Sequence, residues 1–214
     1  MFKRPKFLPL LLLLAIAACK PEETENPSIG YDYFPLHIGK TLVFAFDSIA
    51  FNDNTKSSDT FYYELTWRVD TFFTNQSGYP VYVINQSVKD TGSGNVFNRM
   101  ALFAEINPQQ LVITENQLAF VKLVFPLGNV TSWNGNMYNT LFRQTYQLKY
   151  FNKPENGLNT AFVQEANNIN AIEEEVRYSI YAQNIGLIAF YSKYLNKQIA
   201  GTSGYIVQLK ILPK

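Results

Sequence analysis

The sequence predicts a mainly antiparallel β protein, and three observations carry that prediction. Short segments rich in β-branched and aromatic side chains alternate with clusters of turn formers along the body of the chain. No helical stripe or heptad pattern runs through it. A single cysteine, Cys19, leaves the fold without disulfides, so about 195 residues beyond it must be held by packing. Many strands mean many edges, which a sandwich or a strongly curved, partly closed barrel would manage.

The elements follow in order. Residues 41–51 form the first strand segment. In the next, 61–74, Tyr63, Leu65, Trp67 and Val69 fall on one face and Tyr62, Glu64, Thr66 and Arg68 on the other. Asn75-Gln76-Ser77-Gly78 supplies a turn before 79–88. Segments 96–104, 111–114 and 118–125 come next, the last two joined by Glu115-Asn116-Gln117. Residues 138–151 read as a strand, with a short helix over 138–150 as the alternative, and Pro154, Asn156 and Gly157 end it. Segments 160–165, 171–181, 187–194 and 205–211 complete the series.

Phe34-Pro35-Leu36 recurs 91 residues later as Phe125-Pro126-Leu127, each copy followed by a glycine and a large apolar residue. Such a unit suits a chain that tucks against a core and then turns into a strand. The expectation is one compact β-rich domain, residues 29–214 and a monomer, in which the repeat marks two similar halves, 29–124 and 125–214, the alternatives being a simple boundary near residue 125 or a chance recurrence.

The amino terminus carries a different signal. Lys3, Arg4 and Lys6 precede an apolar run from Phe7 to Ala18, and Ile16-Ala17-Ala18-Cys19 closes it. A positive region, an apolar core and small residues before a cleavage point are the layout of a secretory signal, here residues 1–18. The run is too short for a transmembrane helix, which needs about twenty residues. Cysteine directly after the small pair resembles the site at which bacterial lipoproteins are cut and acylated. Cys19 is therefore the expected lipid-attachment residue, with palmitate-type chains holding the domain on a bilayer at roughly 0.8 kcal/mol per buried CH₂. Residues 19–28 read as acylated cysteine and flexible tether, since Lys20 to Pro27 contain no apolar side chain. Lys20 after the cysteine, rather than aspartate, points to the outer membrane. The acidic residues close behind it resemble the export signal of surface-displayed Bacteroidetes lipoproteins, so the domain is expected to face the cell surface or the periplasm.

Phe34-Pro35-Leu36-His37-Ile38-Gly39-Lys40, Phe125-Pro126-Leu127 with Trp133-Asn134-Gly135-Asn136-Met137-Tyr138, and Tyr181-Ala182-Gln183-Asn184-Ile185-Gly186-Leu187-Ile188 together resemble an uncharacterised family of Bacteroidetes outer-membrane lipoproteins. The resemblance spans nearly the whole mature chain. It implies a single β-rich lipoprotein domain and brings no catalytic residues with it.

Composition excludes some functions. Removing Lys3, Arg4 and Lys6 leaves 15 of the 18 basic residues against 17 acidic ones, a net charge of −2. No Lys/Arg run offers a counterion-release surface, so nucleic acid is not an expected partner. His37 is the sole histidine and sits in a turn, which argues against zinc, and the loop of Asp53, Asn54 and Asp59 lacks calcium-loop spacing, so no metal or cofactor is expected. Gly92-Ser93-Gly94 and Gly201-Thr202-Ser203-Gly204 read as loops rather than a nucleophile elbow or phosphate cradle. Paired carboxylates are the one enzymatic option: Glu173 and Glu175 share a strand face, with Glu165 or Glu105 opposite, as polysaccharide cleavage would require.

A non-enzymatic binding or accessory module of the envelope, for a glycan or protein partner, is the leading expectation. Its candidate contacts are Trp133, Asn134, Asn136 and Tyr138, an aromatic ring with amides on a turn. Trp67, in mid-strand, reads as core, and Tyr181 and Asn184 as strand and hairpin residues first. The alternative is a carrier of an apolar ligand in a half-open β barrel, whose many phenylalanines and tyrosines would line an unfilled interior.

Overall fold

The structure, a computed structural model, describes residues 29–199 and 201–213. The expected signal peptide, Cys19 and the tether lie outside the described residues. A 3-10 turn, Tyr31–Tyr33, precedes twelve strands. The first six are β1 (Thr41–Asn52), β2 (Ser57–Thr74), β3 (Pro80–Asp90), β4 (Val96–Ile106), β5 (Gln110–Glu115) and β6 (Leu118–Val124). The others are β7 (Ser132–Asn134), β8 (Thr145–Glu155), β9 (Leu158–Ile169), β10 (Glu173–Ala182), β11 (Gly186–Gln198) and β12 (Gly201–Ile211). All lie in one sheet, in the order β6-β5-β4-β3-β2-β1-β12-β11-β10-β9-β8-β7. Neighbours are antiparallel, as the register of β1 against both β2 and β12 illustrates. The sheet curls into a nearly closed twelve-strand barrel with one unsealed seam, between β6 and β7. The predicted class thus holds in its barrel form rather than as a sandwich.

Residues 138–144, expected to be strand or helix, are instead turn and loop, and the strand begins at Thr145. Three-residue β7 has no sequence segment assigned to it, because so short a run shows no alternation.

Alternation sets the inside of the barrel. Leu42, Phe44 and Phe46 of β1 stand opposite Trp67, Leu65 and Tyr63 of β2, and Phe46 stands opposite Leu209 of β12. The buried cluster continues around the wall through Ile84, Leu102, Ile113, Leu123, Val163, Tyr181 and Leu187, taking residues from both sides of Phe125.

One end of the barrel is plugged by residues 29–40. Tyr33 and Phe34 are buried in the cluster, with Tyr33 against Phe151 and Phe34 against Tyr181. Backbone and side-chain bonds tie this segment to several strand ends: Leu127 N donates to Ile29 O (3.0 Å), Asn184 N to Asp32 O (2.7 Å) and Gln183 Nε2 to Asp32 Oδ2 (2.7 Å). The second Phe-Pro-Leu copy packs on the start of this segment, the Tyr31 ring standing edge-on to Phe125 at 4.7 Å. Gly30 has φ +93°, and a Cβ there would lie 2.6 Å from Leu127 Cδ1, so no other residue fits this crossing.

The seam is stitched rather than laddered. Val121 N donates to Gly135 O (2.9 Å), the Trp133 indole N–H to Val121 O (2.8 Å) and the Asn139 amide to Ala119 O (2.8 Å).

Candidate functional site

Hairpins alternate between the two ends of an antiparallel barrel, so the end opposite the plug collects the β1–β2, β3–β4, β5–β6, β9–β10 and β11–β12 turns. This is the mouth. Alternation carries aromatic side chains up to it on the inner face: Phe61 stacks with Tyr63 (6.3 Å, 11°), Tyr63 meets Phe97 edge-on (6.3 Å) and Tyr194 tilts on Tyr205 (6.2 Å). Phe61 and Phe97 remain 44% and 48% exposed, which for inward-facing rings marks an opening rather than a packed lid.

Between mouth and plug lies an interior cavity of about 200 Å³. Its floor and sides are apolar: Phe34, Leu65, Trp67, Leu102, Ile113, Tyr181, Leu187, Phe190 and Leu209. Gln86, Arg99, Glu115, Lys122 and Ser179 contribute the polar part of the lining. Gln86 fixes the Trp67 wall by accepting from its indole N–H (3.0 Å) and donating to Met100 O (2.7 Å). A small apolar void of about 20 Å³ lies beside the cavity, sharing Phe34 and Trp67 as walls. A broader hollow of about 900 Å³ at the plug end takes in His37, Val43, Glu64 and Leu212. Val43 and Glu64 face outward, so that hollow belongs to the outer surface.

A buried ionic cluster flanks the cavity. Glu165 is 0% exposed and sits where the β9–β10 register slips, between Arg177↔Ala166 and Tyr178↔Gln164. Lys122 Nζ donates to both its oxygens (3.0 and 2.9 Å) and Ser179 Oγ to Oε1 (2.6 Å). Arg177 Nε lies 3.7 Å from Oε2, while its Nη2 donates to Glu175 Oε1 (3.0 Å). The Lys122 ammonium also stands over the Tyr146 ring at 5.5 Å. Burial, with the Glu165 charge adding to it, pushes the phenols of Tyr146 and Tyr181 far above the usual tyrosine range.

The residues singled out in the sequence take other places. Trp133 is 8% exposed, donates its N–H across the seam and meets Tyr146 edge-on, so its ring offers no face to solvent. Asn134 Oδ1 accepts from Asn136 N and Gln144 N (both 3.2 Å), and the Asn136 amide donates to Phe142 O (2.6 Å). These amides hold the β7–β8 loop. Tyr138 alone of the four presents an exposed ring, its hydroxyl accepting from Gln110 Nε2 (2.7 Å). Trp67 lines the cavity, and Tyr181 is buried beside it.

Of the carboxylates, Glu165 belongs to the buried cluster, Glu175 pairs with Arg177 and Glu105 accepts from the amides of Asn75 and Asn107, while Glu174, next to Glu173, pairs with Lys193 and Lys197. Among the described residues no three His, Cys, Asp or Glu side chains gather as metal ligands would. Sequence reasoning missed Lys122, Arg99, Arg177 and Gln86. For Lys122 a signal existed, a lone charge inside the otherwise apolar run Leu118–Val124.

No family model matches the chain, and no curated protein is similar to it. Among solved structures it is similar to the crystal structure of "a putative lipoprotein" from Parabacteroides distasonis. The two are 15% identical, the match covers 87% of this chain and 100% of that one, and the TM-score is 0.42. So distant a likeness carries neither a family nor a function across.

Proposed function

We propose that this barrel is a non-catalytic, lipid-anchored envelope carrier that holds one small apolar or amphiphilic molecule between its aromatic mouth and its plugged floor. The observation that carries the reading is the unfilled interior: protein cores pack to crystal-like density, and a void of about 200 Å³ inside one stands out. An engineered apolar cavity of roughly 150 Å³ suffices to hold benzene, so the space is of ligand size. A glycan module around Trp133 is less well supported, because sugar recognition needs an accessible aromatic face and this indole is committed to the seam.

The proposal puts the acyl anchor at Cys19, on the outer membrane. Cys19→Ser should release the protein from the membrane fraction and abolish incorporation of labelled palmitate. For the carrier function, native mass spectrometry of protein isolated from membranes should detect a bound small molecule. Val207→Trp, which fills the cavity from β12, should lose that adduct while keeping cooperative unfolding. A ligand-free wild type that also fails to bind hydrophobic fluorescent probes would refute the carrier reading.

A further inference from the structure

The cavity also says what kind of head its ligand carries. Of the charged side chains that line it, Arg99 and Lys122 are cations and Glu115 is the lone anion. Lys122 is neutralised by Glu165, which it holds at 2.9 Å, and so contributes little net field. Arg99 differs. Its contact with Glu115 is long, 3.8 Å, and both side chains are more than a third exposed, so the pair is weak. Glu115 ends β5 at the turn into β6 and can rotate into water. Arg99 stays over the cavity, its guanidinium 6.0 Å from the Phe46 ring centroid.

Arg99 stands opposite Gln86 in the β3–β4 register, one step nearer the mouth than the Leu102–Ile84 pair. A molecule entering tail first would therefore lay its chain on Leu102, Ile113 and Leu209 and bring its head to Arg99. An arginine fork donates two parallel hydrogen bonds to a carboxylate, a geometry that neutral alcohols cannot use. Lys122 has three N–H donors, spends two on Glu165 and lies on the same wall. At about 200 Å³ the cavity is larger than the roughly 150 Å³ apolar cavity that holds benzene, so it has room for a short alkyl chain.

We infer that the carrier's ligand is a short straight-chain carboxylate, its alkyl tail on the apolar floor and its carboxylate at Arg99 in place of Glu115. This rests on the carrier reading, and the test separates the two. Octanoate, 1-octanol and octylamine each have eight carbons in an unbranched chain and differ in the head, and calorimetric titration at neutral pH compares them on the wild type. Octanoate should bind about tenfold tighter than octanol, as one charge-assisted head contact allows. Octylamine should bind more weakly than octanol.

Arg99→Gln, at a side chain that is not part of the buried cluster, should fold normally and bring octanoate to within about twofold of octanol. Arg99→Glu should reverse the order in favour of octylamine. Equal binding of octanoate and octanol by the wild type, or an octanoate preference unchanged in Arg99→Gln, overturns the inference and leaves the carrier standing. Failure of all three amphiphiles to bind overturns this inference, and a ligand-free protein from membranes would then remove the carrier reading as well.

Discussion

Breaking the Lys122–Glu165 pair tests the energetic reading of the barrel interior most directly. Glu165 is wholly buried, whereas the Lys122 side chain keeps 17% of its surface and borders the cavity. Truncating one partner of a buried pair costs about 3–5 kcal/mol, chiefly because the other charge is stranded. Lys122→Met strands Glu165, which keeps Ser179 Oγ at 2.6 Å and Arg177 at 3.7 Å as residual support. That places the loss near the lower limit, about 3 kcal/mol, already a large share of the 5–15 kcal/mol typical of a domain.

The reverse truncation, Glu165→Gln, is milder. Lys122 can turn its ammonium into the cavity and water, and the glutamine still accepts from Ser179, so a loss of about 1–2 kcal/mol follows. The double variant strands no charge and should lie close to the milder single one, giving a coupling of about 2–3 kcal/mol. Urea unfolding of the four proteins, followed by circular dichroism, measures each corner of that cycle. A Lys122→Met loss below about 1 kcal/mol, or additive single variants, would refute the view that Glu165 is a desolvated charge held by Lys122.

Trp133→Ala should destabilise by about 3–5 kcal/mol through lost packing, and Trp133→Phe by about 1 kcal/mol, the worth of the bond to Val121 O. Urea midpoints decide it, and an unchanged midpoint with selective loss of glycan binding would restore the tryptophan as a contact residue. Alkaline titration offers a third test. The phenols of Tyr146 and Tyr181 are raised above the ordinary 10.0 in the fold, so their contribution is complete below that pH and is lost as pH climbs beyond it. Stability should fall by about 1.4 kcal/mol per pH unit for each, and both should ionise only as the barrel unfolds. Phenolate absorbance recorded beside circular dichroism checks this. Reversible ionisation of every tyrosine near pH 10 in a folded protein would contradict the burial.

Much of the wall was legible because each strand carries its own signal. Residues 41–51, 96–104 and 118–125 match β1, β4 and β6 to within one or two positions, and the Tyr63-Leu65-Trp67-Val69 face is the inner face of β2. Curvature and closure were not, since the pairing of β1 with β12 leaves no local trace in either segment. The cavity was foreseen only as an alternative. Its lining comes from residues scattered from Phe34 to Leu209, and an unfilled volume is a property of their sum. Trp133 is ambiguous in the sequence for a physical reason: Trp-Asn-Gly-Asn is equally good chemistry for a sugar contact and for a turn that locks an indole into a wall. Glu165 shares a face with Ala161 and Val163, but alternation alone does not say which lysine would meet it 43 residues away.

The neighbours of β1 also decide when this chain can finish folding. Phe44 pairs with Ile211 and Phe51 with Gly204, so the strand that completes the ladder beside β1 is the last of the twelve to be synthesised. Hairpins such as β1–β2 form from local sequence, but joining the two ends of the chain is the kind of distant contact that makes β topologies slow. Until Gly201–Ile211 arrives, β1 has a bare edge and the cavity is an open trough with its apolar floor in water. Such an intermediate is what holding chaperones recognise. Late closure is therefore built into the strand order: the barrel cannot shut until Gly201–Ile211, the last of its twelve strands, has been made.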